Sequence, residues 1–337
     1  MNSEVGSGSN NAGAKGKENS KDSLFSQFSE WLEQQQFFVF SGCVEEKYPA
    51  IKEGLMRIGK TLGHGMHKYP EQSCCSGPLT KMGLGNDCTL NEYTQANIDL
   101  RSHDEQVVVT SCNGCYSYMI KTDVLRTDID VVSEKGPKPV LLHSIEYLSA
   151  YIDRLVPIIK YPIKDLIFVT QYGCHYLNQY RVANEKSFRN AYAEHNNIKG
   201  WTYNSLPTYL QDILIPLGAK FKEYTEDTLC CGGSTPQRQI NLHNALSVAE
   251  KKFDSIHRPK PDAIVTICPL CMYWMEDAQL TEQLTSKYDE PVPIIHINEL
   301  LSLMLGHDDM IEKIIESHKI DPKPILQKIV GRDLDEF

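Results

Sequence analysis

Four short runs of unbroken apolar residues punctuate the chain, at residues 37–41, 106–110, 166–169 and 262–267, each rich in Phe, Val and Ile. Runs this short, apolar at every position, predict strands buried on both faces. Between them, residues 49–61, 89–101 and 238–253 have the length and periodicity of helices. The stretch HSIEYLSAYIDRLVPII from His143 is also helix-like, and residues 23–35 read as a short amphipathic helix. From Met310 onward, MIEKIIESHKI and PILQKIV predict two terminal helices separated by Asp321-Pro322. Strand followed by helix is the recurring order, which predicts the α/β class with mostly parallel sheets.

The cysteines show that this order occurs twice. Setting Cys88 aside, the remaining ten fall into two sets of one form: Cys43, Cys74, Cys75, Cys112 and Cys115, then Cys174, Cys230, Cys231, Cys268 and Cys271. Cys75 to Cys112 and Cys231 to Cys268 both span 37 residues. The first gap differs, 31 residues against 56, so the second copy carries an insertion of about 25 residues, placed within 176–208. Flanking sequence agrees: VVVTSCNGCYSYM parallels AIVTICPLCMYWM, FFVFSGC parallels IFVTQYGC, and HSIEYLSAYI resembles HINELLSLML. An internal duplication accounts for all of these. The expected organisation is a flexible tail at 1–22, a first α/β repeat at 23–160, a second at 161–305 and a C-terminal helical extension at 306–337. The KGPKP and YPIKD stretches, 135–139 and 161–165, lead into the junction. The fold expected is two pseudo-symmetric, Rossmann-like open-sheet repeats, with Cys43, Cys112, Cys174 and Cys268 just beyond strand ends, where open α/β sheets place ligand sites.

Composition narrows the chemistry. The 337 residues, 41% hydrophobic, can fill a sizeable core, and the formal charge of −10 gives no general reason to bind nucleic acid or an anionic membrane. The opening residues lack the apolar run of a signal peptide, and no later stretch reaches about eighteen unbroken apolar residues, so the expectation is a cytoplasmic protein without membrane insertion. In that setting, clustered cysteines point to metal rather than disulfides.

Thiolates favour zinc, copper(I) and iron-sulfur clusters, and the C-x-x-C pairs let one turn supply two ligands. Adjacent cysteines in an extended strand would point oppositely, so Cys74-Cys75 and Cys230-Cys231 need a turn, which Gly77, Gly232 and Gly233 can supply. Five candidate ligands exceed the four of a tetrahedral zinc or a cubane cluster, which suggests a larger or irregular cluster. A structural zinc in one repeat is the alternative. Cys88 has no counterpart and reads as an ordinary buried thiol.

The repeated pattern resembles the cysteine-rich repeat named for its Cys-Cys-Gly core, and the two-copy arrangement over residues 36–305 resembles the B subunit of heterodisulfide reductase. The resemblance implies two facing noncubane 4Fe-4S clusters, one on Cys43, Cys74, Cys75, Cys112 and Cys115, the other on Cys174, Cys230, Cys231, Cys268 and Cys271. It implies two-electron reduction of the mixed disulfide of coenzyme M and coenzyme B, as in methanogenesis. The implied partners are a small ferredoxin-like subunit with two cubane 4Fe-4S clusters, a larger flavin-containing subunit that receives or bifurcates electrons, and a hydrogenase or formate dehydrogenase. One departure is visible: the first core reads Cys74-Cys75-Ser76-Gly77, which bears on turn geometry.

An anionic disulfide calls for positive groups near the clusters, and Lys81, Lys121 and His175 are the candidates by nearness to the ligand turns. His175 is also a candidate proton or hydrogen-bond donor. His143 and His296, at matching helix starts, are assigned structural roles. Asn113-Gly114 and Pro269-Leu270 shape the two C-x-x-C turns differently, so the clusters need not be equivalent. The competing readings are a different disulfide or sulfur-carrier substrate, and an electron-transfer or zinc-stabilised scaffold.

Overall fold

The structure is a computed structural model that describes residues 27–68, 72–83, 107–126, 140–179, 182–183, 186–187 and 209–335. The 1–22 tail, Cys88, the 89–101 helix, the KGPKP stretch and most of the inserted segment lie outside them.

Among the described residues, eight strands form two parallel sheets of four, and Val182–Ala183 pairs antiparallel with Lys186–Ser187. The first contains β1 (Phe37–Phe40), β2 (Met66–Lys68), β3 (Val107–Thr110) and β4 (Val140–His143), in the order β2-β1-β3-β4. The second contains β5 (Ile167–Gln171), β6 (Lys220–Phe221), β7 (Ala263–Thr266) and β8 (Ile294–His296), in the order β6-β5-β7-β8. Chain order maps onto sheet order identically in both. Register repeats too: Thr110 pairs with His143 as Thr266 pairs with His296. Every residue of β1, β3 and β7 is buried, as expected of parallel strands covered on both faces. The fold is therefore the expected pair of open-sheet α/β repeats.

The repeats interleave at their helices. Helix α1 (Pro49–Thr61) begins with a proline at its first position and buries Ile51, Leu55 and Ile58 on one face. It packs on α2 (Ile297–Met304), which follows β8 in the other repeat. Closeness of approach explains Gly54, where a Cβ would lie 2.7 Å from the Asn298 carbonyl oxygen. The corresponding contact, Tyr209–Leu214 on Ser144–Ala150, joins the halves again. The terminal helices at Ile311–Ser317 and Lys323–Val330 contribute Ile311, Ile314, Ile325 and Leu326 to the larger core.

Three expectations are refined. The helix expected over 238–253 is two, Thr235–Ile240 and Leu242–Ile256, because the Asn241 side chain accepts from the Asn244 amide and starts the second. The helix after His143 breaks at Tyr151 and continues as Ile152–Leu155 and a 3-10 turn. His143 and His296 are each the N-cap of a capping box: Nδ1 accepts from the amide two residues on, while Glu146 or Glu299 accepts from the histidine's own amide. Burial pushes His143 down to about 3 and also lowers His296, so both caps are neutral.

Candidate iron-sulfur site

In both sheets the order of strands places the topological switch between the first and third strands of the repeat, β1 and β3 or β5 and β7. Cys43 and Cys112 follow the ends of β1 and β3, and Cys174 and Cys268 follow β5 and β7. The Thr110 hydroxyl accepts from the Cys112 amide at 3.4 Å and the Thr266 hydroxyl from the Cys268 amide at 3.3 Å, fixing the same turn twice. Each turn then enters a helix, Asn113–Arg126 or Pro269–Gln279, whose N-terminal amides favour a thiolate.

The adjacent cysteines turn as their glycines predict. Gly232 has φ of +86° and Gly233 follows; their amides donate to Cys230 and Cys231 sulfurs, each at 3.4 Å. Trp274 Nε1 donates to the Cys231 carbonyl at 2.8 Å and locks the turn. In the first repeat Ser76 occupies the Gly232 position with φ of +63°. The backbone conformation is kept, and the serine carries its strain. Behind the second pair, the buried Lys252 ammonium donates to the carbonyls of Glu226, Asp227 and Leu229 and holds the approach to Cys230.

All ten paired cysteines converge. Sulfur contacts run from Cys43 through Cys74, Cys75 and Cys115 to Cys112, across to Cys268, and on through Cys271, Cys231 and Cys230 to Cys174. Cys231 and Cys271 are 3.4 Å apart, and Cys174 and Cys230 are 3.5 Å apart. A cavity of about 340 Å³ lies over this row and is lined by residues of both sets. Hydrogen bonding to Cys74 and Cys230, then burial, pushes the Cys43 and Cys174 thiols up, while the same bonds hold Cys74 and Cys230 far below an ordinary thiol. So many sulfurs cannot ionise together without a cationic centre. Five soft donors per set, with amides directed at the sulfurs, suit iron-sulfur clusters.

The sequence-named donors fare unequally. His175 lines the cavity and stacks with Tyr118, ring centroids 6.3 Å apart. Lys81 ends the Gly77–Lys81 helix and Lys121 lies in the Asn113–Arg126 helix, but their side chains are outside the described ones. Sequence reasoning passed over Lys47, Arg238 and Tyr273, which also line the cavity. Arg238 lies seven residues beyond Cys231, much as Lys81 lies six beyond Cys75, so spacing alone offered that signal. Glu45 was also missed: fully buried, it accepts from the Gly42 amide at 3.1 Å, and burial raises its carboxyl to about 8.

Comparison with known proteins agrees with this architecture. The chain is 26% identical over 80% of its length to the B subunit of the ferredoxin/F420H2-dependent CoB-CoM heterodisulfide reductase of Methanosarcina acetivorans, spanning 88% of that protein. It is 23% identical over 81% of its length to the 8-methylmenaquinol:fumarate reductase membrane anchor subunit of Wolinella succinogenes, spanning 93% of it. No described helix of this chain is long and apolar enough to cross a membrane. A crystal structure of a hypothetical Helicobacter pylori protein superposes with a TM-score of 0.58 at 12% identity, covering 92% of this chain and 58% of that one, which supports the fold alone. The model of the CCG cysteine-rich domain matches twice, at residues 37–120 and 168–276, so the chain belongs to the CCG cysteine-rich domain family, with two copies.

Proposed function

We propose that this chain is the disulfide-cleaving subunit of a heterodisulfide reductase complex. The observation that carries the reading is one continuous row of sulfurs from two matching five-cysteine sets, all but Cys74 of them lining one cavity. Cys43, Cys74, Cys75, Cys112 and Cys115 would hold one noncubane 4Fe-4S cluster within residues 23–160, and Cys174, Cys230, Cys231, Cys268 and Cys271 the other within 161–305. When bound, such a pair supplies two electrons, one from each cluster, to a disulfide lying between them. The balance is one disulfide, two electrons and two protons giving two thiols. The chain's own part is to hold the clusters, exclude bulk water from a cavity whose walls are mostly sulfur, aromatic and backbone, and orient the substrate. His175, stacked on Tyr118 at the wall, is placed to donate a hydrogen bond to a departing sulfur.

The substrate favoured is the mixed disulfide of coenzyme M and coenzyme B, because relatives of this length carry that activity in their names. Partners delivering electrons would be a small ferredoxin-like subunit with two cubane clusters and a larger flavin-containing subunit, with a hydrogenase or formate dehydrogenase behind them. A second reading keeps both clusters but places them in a different reductase. The relatives named for fumarate reductases in Wolinella succinogenes and Methanothermobacter marburgensis favour it. Anaerobically purified protein is tested with reduced viologen as donor. Rapid cleavage of the coenzyme M and coenzyme B disulfide supports the first reading; full clusters without turnover of it support the second. Zinc with negligible acid-labile sulfide removes both.

A further inference from the structure

The chain is strongly acidic overall, yet two cations facing the cavity have no carboxylate partner among the described residues. Lys47, from the turn after Cys43, and Arg238, from the helix after Cys230-Cys231, both line it. Both lie against one ring, that of Tyr273: Lys47 Nζ is 4.8 Å from its centroid and Arg238 Cζ is 5.4 Å. Arg238 also lies 5.6 Å from the Trp274 ring, and its Nε is buried without a hydrogen-bond partner. A third cation on the Tyr273 ring, Lys319, is neutralised by Asp277. Ring faces attract each cation by about 0.5–1 kcal/mol but supply no countercharge, so the guanidinium keeps donors open for an anion.

The arrangement breaks the pseudo-symmetry. Counting from the matching cysteines, Lys47 corresponds to Asn178, Arg238 to Met82 and Tyr273 to Ser117. Ser117 is buried and its hydroxyl accepts from Gln179 at 2.7 Å. The duplication accounts for ten sulfurs arranged symmetrically; among the described side chains, the cationic cradle built from both repeats stands at one of the two equivalent places. A substrate with two identical ends would need no such polarity.

We propose that Lys47 and Arg238, set on the Tyr273 ring, form an oxoanion subsite that takes one charged end group of the substrate, a sulfonate, carboxylate or phosphate, and thereby fixes which way an unsymmetrical disulfide enters. The assignment rests on the disulfide-cleaving reading for its purpose but not for its test. Arg238 makes the planar two-donor contact, and Lys47 adds a point charge from the opposite repeat.

The test is calorimetric titration of the anaerobic, cluster-loaded protein, without reductant, with ethanesulfonate, propionate or ethyl phosphate, and with propanol as a neutral control. The anions should bind, propanol should not, and the affinity should fall as salt rises. R238Q should weaken the best-bound anion about tenfold or more, K47Q less, and R238K should recover part of the loss. The order of the three anions identifies the end group. Unchanged affinity in R238Q and K47Q, or no anion binding by a protein that does reduce disulfides, overturns the subsite. Anion binding that depends on Arg238 in a protein that reduces no disulfide supports the subsite and refutes the proposed function. Iron content of each variant checks that the fold has survived, and R238K provides the reading if R238Q fails to assemble.

Discussion

Replacing Gly233 by alanine tests how the second cysteine pair is held. A Cβ there would lie 2.5 Å from Trp274 Cβ and 2.6 Å from its Cγ, more than 1 Å inside ordinary contact. Relief requires Trp274 to move, and its Nε1 is the donor to the Cys231 carbonyl at 2.8 Å. Overpacking costs about 1–3 kcal/mol and the lost buried hydrogen bond about 1 kcal/mol more, so G233A should be less stable by about 2–4 kcal/mol. The loss should fall on the second cluster, because the strain is local to Cys231. Gly77 makes the matching approach in the first repeat, 2.6 Å from the Tyr118 ring, so G77A should affect the first cluster. The assay is iron and acid-labile sulfide per chain after anaerobic reconstitution, with thermal unfolding of the same samples. About half of the wild-type iron in G233A fits the reasoning. Full iron with an unchanged unfolding midpoint would refute it.

Ser76→Gly should relieve the left-handed strain at φ of +63° and raise stability by up to about 1 kcal/mol in thermal unfolding, whereas Gly232→Ser, whose Cβ would meet the Ala245 carbonyl at 2.6 Å, should lower it. His318, from the C-terminal extension, is fully buried between Glu276 at 2.8 Å and Glu299 at 3.3 Å; burial disfavours its charge, but the two carboxylates overcome this and raise it to about 10 from 6.5. The folded state therefore binds a proton that the unfolded chain releases, and the stabilisation, at most about 5 kcal/mol, is complete below pH 6.5 and lost as pH rises towards 10. H318Q should flatten the fall in unfolding midpoint across that window, and parallel pH curves would contradict the assignment. Cys231→Ser should leave iron on the first set while abolishing viologen-driven turnover; retained full iron and turnover would remove Cys231 from the ligand set.

The cysteine sets were legible because duplication preserved a 37-residue spacing and the apolar runs before each C-x-x-C. Those runs became central strands, where burial on both faces leaves an unmistakable pattern. The edge strands Met66–Lys68 and Lys220–Phe221 are too short to leave one, and of Val140–His143 and Ile294–His296, which run directly into helices, only the closing histidine was read, as a helix start. Asn241 split a helix through a side-chain cap that periodicity does not register. The interleaving at Gly54 and the cradle at Tyr273 join residues from different repeats, so no local pattern could announce them. His318 belongs to the same class: Tyr48 of the first repeat donates to Glu276 at 2.6 Å, and Glu276 holds His318.

The central claim is that two five-cysteine sets hold a facing pair of iron-sulfur clusters. An anomalous-scattering map at the iron edge, from crystals of anaerobically purified protein, tests it most directly. The expected map shows two groups of iron peaks on either side of one cavity, one ringed by Cys43, Cys74, Cys75, Cys112 and Cys115 and the other by Cys174, Cys230, Cys231, Cys268 and Cys271. A single zinc in either set, or iron centres closed off from a shared cavity, would contradict it.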